Sequence, residues 1–232
     1  MTKEARVFGV AHTAYTLADF MTKSAISLLS AQGVPLSRIR ALDPFTGDGV
    51  FLRALLDNGV TAPCAYEIRR EVCRKTSNLY SDRADLHCAD AFAMKPRGFN
   101  LIIGNPPYGN CAPNAAVDAR IAATYGKTAA KNKAALYDGY VRAIRWASDN
   151  FAHGVIAYII NNSFLDCTAF DAMRLCLERE FTRVHVVNLR GNHRTSGELC
   201  RKEGGNVFAQ EARVGIAMLF LERKINLAYP KA

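Results

Sequence analysis

The sequence predicts an α/β fold, a doubly wound and mostly parallel sheet of seven strands whose last strand runs antiparallel. Three observations predict it. Strand-length apolar runs alternate with stretches of helical periodicity along the chain, the pattern of a parallel sheet covered on both faces. Those runs number seven. The last two, RVHVVNLR (183–190) and VGIAMLFLER (214–223), have no helical segment between them, so they form a hairpin-like edge in which one strand reverses direction.

Taken in order, Leu17, Phe20, Met21, Ile26, Leu28 and Leu29 recur on helical spacing from Thr16 to about Ser30, and Pro35 lies just past the end. IRALD (39–43) is a short strand, broken by PFTGDG (44–49) and followed by the helical VFLRALLDNG. APCAYE (62–67) leads into a helix from about Arg69 to Tyr80. A weaker strand ADLHC (84–88) precedes the strong strand FNLIIG (99–104). A long polar stretch containing KTAAKNK (127–133) then reads as a loop to about Lys133. ALYDGYVRAIRWASDNF (135–151) is an amphipathic helix, GVIAYIINNSF (154–164) a buried strand and TAFDAMRLCLERE (168–180) another helix. GNHRTSGELCRKEGGN (191–206) is an excursion between the final two strands.

A chain of 232 residues can bury one good core, and a single domain over 1–232 is expected, with no linker, repeat or second domain visible. The formal net charge of +9, from 30 Lys+Arg against 21 Asp+Glu, favours a polyanionic partner. Seven cysteines (Cys64, Cys73, Cys88, Cys111, Cys167, Cys176 and Cys200) form no CxxC pair, which argues against a zinc site and a disulfide framework and for free thiols in a reducing cytosol. His12, His87, His153 and His185 have no ligand partners at useful spacing and read as structural or surface, so no metal is expected. The N-terminus lacks an apolar signal-peptide core, and no apolar run is long enough to span a bilayer. A soluble, cytoplasmic protein without a membrane partner is expected.

DPFTGDGVF (43–51) joins the first strand to its helix, where open α/β sheets bind ligands. Gly47 and Gly49 allow close backbone approach, and Phe45 lies within the same turn. This is not the GxGxxG of a dinucleotide site, because an acid, Asp43, ends the strand. A carboxylate facing the ligand disfavours phosphate and suits an amine or cation. Glu67 ends the second strand, where it could accept both ribose hydroxyls of an adenosine. Asp90 follows the third, where it could accept from an adenine amino group. One DxxxGxG alone is a generic βα turn; acids at three successive strand ends are harder to dismiss. S-adenosylmethionine, with an ammonium, a ribose, an adenine and no phosphate, has the matching chemistry.

The fourth strand ends in Asn105-Pro106-Pro107-Tyr108. An exocyclic aromatic amine is a weak nucleophile because its lone pair is delocalised into the ring. Two acceptors on its N–H groups, the Asn105 side-chain oxygen and the Pro106 carbonyl, could pull that nitrogen toward sp3 geometry. The prolines fix the carbonyl direction beforehand. Tyr108 offers a face on which a planar base stacks, worth ~1–3 kcal/mol in comparable cases.

As an ordered set these motifs resemble the S-adenosylmethionine-dependent N6-adenine DNA methyltransferases whose cofactor motifs precede NPPY, with a Rossmann-like methyltransferase sheet. By that resemblance Tyr15 and Thr16 match an upstream cofactor-contacting motif. Asp43, Pro44, Gly47, Gly49 and Phe51 match DPxxGxGxF, Glu67 and Ile68 the ribose position, Asp90 and Ala91 the adenine position, and Asn105 to Tyr108 the catalytic tetrad. The segment from Asn188 to Leu221 resembles a late region of methylase domains in single-chain restriction–modification and phage-defence proteins. YTL stands here where the family usually has YTP. The resemblance implies double-stranded DNA with a flipped adenine as partner. Because no target-recognition domain is seen, it also implies a specificity subunit or recognition domain elsewhere.

The alternatives are a protein-glutamine or RNA-base N-methyltransferase, which use the same planar-amine chemistry, and a catalytically silent methylase-like subunit. Lys127, Lys131 and Lys133 after the tetrad, and Arg190, Arg194, Arg201 and Lys202 in the late excursion, are candidate phosphate contacts. A solvated polar loop accounts equally well for each of the three lysines taken singly. Asn161, Asn162 and Ser163, at the end of the fifth strand, read as caps for the following helix, with contact to the base or cofactor as the alternative, and Trp146, Tyr137 and Tyr140 read as helix core.

Overall fold

The computed structural model describes residues 13–80, 82–109, 111–127, 133–190 and 215–224. Its seven strands are β1 (Ala41–Asp43), β2 (Cys64–Tyr66), β3 (Asp85–His87), β4 (Leu101–Gly104), β5 (Gly154–Asn161), β6 (Arg183–Arg190) and β7 (Ile216–Arg223). They form one sheet in the order β3-β2-β1-β4-β5-β7-β6. The inner pairs are parallel, and β7 is antiparallel to both β5 and β6. The antiparallel strand is therefore inserted, and β6 is the outer edge.

The described helices are α1 (Tyr15–Ala31), α2 (Val50–Asp57), α3 (Arg70–Tyr80), α4 (Ala115–Thr124), α5 (Gly139–Asn150) and α6 (Asp171–Glu180). Strand residues alternate between two cores, as period-two side chains must. Ile102, Ile156, Tyr158 and Leu219 pack with Val141, Ile144 and Trp146 of α5. Leu101, Ile103, Val155 and Phe220 pack on the opposite face with Met21 and Leu29 of α1 and Phe51 and Leu55 of α2. Gly33, at φ 83°, follows the end of α1 in the left-handed conformation that stops a helix, with Pro35 beyond it. Among the described residues no helix is long and apolar enough to cross a membrane.

Two expectations are corrected. The polar stretch after the tetrad contains α4, because the Asn114 side chain caps the Val117 N–H and buried Val117 and Ile121 lie one turn apart. The expectation of free thiols fails at Cys73 and Cys88, which form a disulfide between α3 and the end of β3. Tertiary packing rather than local spacing brings these Cα atoms to 5.6 Å, and closing a loop of 15 residues contributes ~3 kcal/mol. Cys64, Cys111, Cys167 and Cys176 are free, and Cys200 lies outside the described residues.

Candidate cofactor pocket and catalytic rim

The sheet order reverses between β1 and β4, and a cavity opens at their carboxyl ends. Its walls come from the turns after β1, β2, β3 and β4. Of the expected residues, Pro44, Phe45, Gly47, Phe51, Glu67, Ile68, Asp90, Ala91, Asn105 and Pro107 line it. Asp43, Gly49, Pro106, Tyr108, Tyr15 and Thr16 do not.

Asp43 is wholly buried beneath the turn, where its Oδ1 accepts from the Phe45 N–H at 3.1 Å. Burial pushes its carboxyl up to about 7. The expectation of Asp43 facing the ligand is thus replaced by Asp43 shaping the turn that does, and Glu67, Asp90 and Asp48 are the carboxylates on the wall. Gly104 is required beside it, since a Cβ there would fall 2.7 Å from the Asp43 Oδ1. Gly49, at φ 86°, starts α2, and a Cβ on it would strike the Tyr80 ring at 2.7 Å.

Glu67, 5% exposed, is the most constrained acid of the wall. Its Oε2 accepts from the Gly47 N–H at 3.0 Å and from Arg69 Nη2 at 3.1 Å; its Oε1 accepts from Arg69 N at 2.8 Å and Nε at 2.9 Å. A phosphate-binding loop would offer the Gly47 amide to its ligand, whereas here a carboxylate takes it. That amide is therefore already taken and is not offered to a pyrophosphate. Ile68 beside it is 49% exposed, an apolar surface held out on the wall where a planar ring could lie. Asp90 caps the short turn Ala91–Ala93 by accepting from the Phe92 N–H at 3.0 Å. Phe92 and Phe45, with ring centroids 5.5 Å apart, supply aromatic wall.

On the rim, Asn105 Nδ2 donates to Thr13 Oγ1 at 3.1 Å, and both residues line the cavity. Tyr108 is half-buried, its ring tilted against Tyr140 at 6.4 Å and its hydroxyl enclosed. Burial holds that hydroxyl far above the usual phenol range. The loop is anchored from α5: Asp138 Oδ1 accepts from the Gly109 N–H at 2.9 Å, and the Gly139 N–H donates to the Gly109 carbonyl at 3.0 Å. Burial raises the Asp138 carboxyl to about 6. Any Cβ at Gly139 would lie 2.5 Å from the Pro107 carbonyl oxygen, so the helix start and the tetrad fit one another only with glycine there.

Tyr15 opens α1, donates to Asp57 Oδ2 at 2.7 Å and carries Arg53 over its ring at 4.4 Å; Thr16 is exposed. Thr13, two residues earlier, is the one at the cavity. Sequence reading also missed Asp48, Arg69, Phe92 and Asp138. Arg69 stood in plain view after Glu67-Ile68, and the Asp138-Gly139 pair was a helix-start signal. Lys127 and Lys133 are described while residues 128–132 between them are not, and Lys133 Nζ donates to the Gly126 carbonyl at 2.6 Å. Arg190 ends β6 at φ 61°, after a bulge. Two antiparallel steps separate β6 from β5, so Arg190 stands at the same carboxyl end of the sheet as the cavity, although on the outer strand. Lys131, Arg194, Arg201 and Lys202 lie outside the described residues. Asn161 caps the Ser163 N–H, and Trp146 and Tyr140 are core, as expected.

The sequence pattern that defines the Eco57I restriction-modification methylase family matches residues 51–194. Among solved structures, DrdV in its DNA complex superposes with a TM-score of 0.81 at 26% identity, over 95% of this chain and 27% of that one. A nuclease-deletion mutant of the Type ISP restriction-modification enzyme LlaGI, in complex with a DNA substrate mimic, gives 0.81 at 25%, over 93% of this chain and 23% of that one. The 23S rRNA methyltransferase ErmE shares the fold, with a TM-score of 0.58 at 14% identity over 93% of this chain and 70% of that one. The chain thus spans about a quarter of the length of DrdV and of LlaGI. Among curated proteins, none matches the sequence significantly.

Proposed function

Because the chain belongs to the Eco57I restriction-modification methylase family, we propose that it transfers a methyl group from S-adenosylmethionine to the N6 amino group of adenine in DNA. Its setting would be a restriction–modification or phage-defence system. The observation that carries this reading is one cavity holding Glu67 and Asp90 from successive strand ends with Asn105 and Pro107 on its rim. Glu67 would take the ribose hydroxyls, Ile68 and Phe92 would enclose the adenine, and Asp90 would accept from its amino group. The capped Gly47 amide suits a nucleoside cofactor that carries no phosphate.

Bound there, the cofactor supplies an electrophilic methyl and a neutral thioether leaving group. The protein's part is positioning. The Asn105 side-chain oxygen and the Pro106 carbonyl accept the two N–H groups of the target amine and aim its lone pair at the methyl. Asp138, through Gly109, holds the loop that carries both acceptors. Reaching an adenine in duplex DNA requires flipping it out, at a cost of a few kcal/mol. Arg190, at the same carboxyl end of the sheet, supports a phosphate contact. The DNA-bound state of DrdV and of LlaGI, both several times longer, supports double-stranded DNA as partner and a separate subunit or further domain as the source of site choice.

The test incubates the chain with methyl-labelled S-adenosylmethionine and, in separate arms, duplex DNA, RNA and a protein extract. Label recovered as N6-methyladenine in DNA is the expected result; label confined to RNA or protein overturns the substrate. Asn105→Ala should cut transfer by on the order of 100-fold or more, as for loss of one preorganised partner of a reacting group, while calorimetry shows cofactor affinity essentially unchanged. Loss of binding in that variant would remove Asn105 from the catalytic role.

A further inference from the structure

On the sheet face that carries Cys64 and Tyr66, and away from the acceptors of the rim, β2 and β3 present a second constellation. Cys64 lies directly opposite Asp85 in the parallel register, and Tyr66 opposite His87. Parallel strands place these four side chains on one face, because alternate residues share a face. The Cys64 Sγ, an Asp85 carboxylate oxygen and a His87 ring nitrogen all lie within 4.8 Å of one another, with His87 Nε2 already 3.1 Å from Asp85 Oδ2. The His87 ring rests against Tyr66 at 5.7 Å, which limits where it can swing. Cys64 is buried, while Asp85 and His87 open to solvent, so the cluster has a fixed base and two adjustable arms.

We propose that Cys64, Asp85 and His87 form a binding site for a divalent, borderline-soft cation, zinc being the natural occupant. Donor chemistry selects the metal. A thiolate disfavours magnesium and calcium, and the sulfur, nitrogen and oxygen donors here are each ligand types that zinc takes, leaving a fourth position open to water. Thiolate and carboxylate together cancel the charge of a divalent ion, with imidazole neutral, so the occupied site carries no net charge. Coordination releases the Cys64 thiol proton to solvent. Ligands held ~2.0–2.3 Å from a shared zinc ion sit roughly 3.5 Å apart. Closing from 4.8 Å asks for a movement of about an ångström, available to the two exposed side chains by rotation. An ion there would fasten the outer strand β3 to β2 just before Glu67 and Asp90, the acids of the cavity wall. The site does not depend on the reaction assigned to that cavity.

The experiment titrates the disulfide-intact chain with Co2+ and then with Zn2+, reading the absorption spectrum. One Co2+ per chain should bind with tetrahedral-type visible bands and a sulfur-to-metal charge-transfer band, and Zn2+ should displace it. Cys64→Ser should abolish the charge-transfer band. His87→Gln, a change at a half-exposed side chain, should weaken Co2+ affinity more than ~10-fold. Cys167→Ser, at an exposed free thiol elsewhere, should change nothing. Absence of the charge-transfer band in the unaltered chain, its survival in Cys64→Ser, or full affinity in His87→Gln would each overturn the site.

Discussion

Glu67 has room for about four hydrogen bonds when ionised, and all four are filled from within the chain: one by the Gly47 amide and three by Arg69. Ribose hydroxyls can reach this carboxylate only if the Arg69 guanidinium gives up its place. Arg69 thus acts as an internal occupant of the seat assigned to the sugar. Arg69→Ala should leave a buried carboxylate short of partners in the ligand-free protein, a cost of about 1–3 kcal/mol. The cofactor's hydroxyls then recover that cost on binding. The melting temperature of the free protein should fall, and S-adenosylmethionine should bind more tightly, up to about tenfold for each ~1.4 kcal/mol relieved. Calorimetry decides the matter: weaker binding in Arg69→Ala would make Arg69 a ligand contact instead. The sequence made Glu67 legible because an acid at a strand end is a local pattern. Arg69's part was not, since a side chain folding back two residues leaves no periodic trace.

Among the elements, α4 was missed because its buried stripe is only Val117 and Ile121, set among alanines and polar residues. Alanine-rich segments carry helix propensity but little amphipathic signal, and the polar flanks read as loop. What secures this helix is long-range. Arg142, buried on α5, grips Asp118 through Nε at 2.7 Å and Nη2 at 3.1 Å, and its Nη1 donates to the Cys111 carbonyl at 3.2 Å. One guanidinium therefore ties α4 to α5 and to the chain leaving the tetrad. Paired two-point contacts of this kind are among the stronger side-chain interactions. Arg142→Ala should destabilise the protein by about 2–3 kcal/mol, below the fully buried limit because Asp118 keeps some contact with water. Hydrogen exchange should speed up across α4 and residues 109–112. Unchanged protection there would mean the helix is held by its apolar contacts alone.

The whole molecule was legible where repetition carries information. All seven strands and the helices flanking β1, β2, β5 and β6 follow from apolar runs and their spacing; the strand order whose reversal opens the cavity does not, because it depends on which distant strands pair. The Cys73–Cys88 bridge and the buried state of Asp43 were not legible, because both depend on which distant surfaces meet. Those buried acids give the fold a pH signature. Asp43 is raised from 3.8 to about 7 and Asp138 from 3.8 to about 6, in each case chiefly by removal from water. A carboxyl whose folded-state pKa is raised holds its proton more tightly in the native state than in the unfolded chain. Its stabilising contribution is complete below about 4 and is lost as pH rises through about 6 for Asp138 and about 7 for Asp43. Carboxylates held in ion pairs, Asp149 among them, pull the opposite way at lower pH. The net expectation is therefore confined to the upper window. Thermal unfolding should occur at a higher temperature at pH 6 than at pH 8, and Asp43→Asn, which cannot ionise, should flatten that difference. An equal difference in the variant would assign the pH dependence to another group and leave Asp43 charged within the fold.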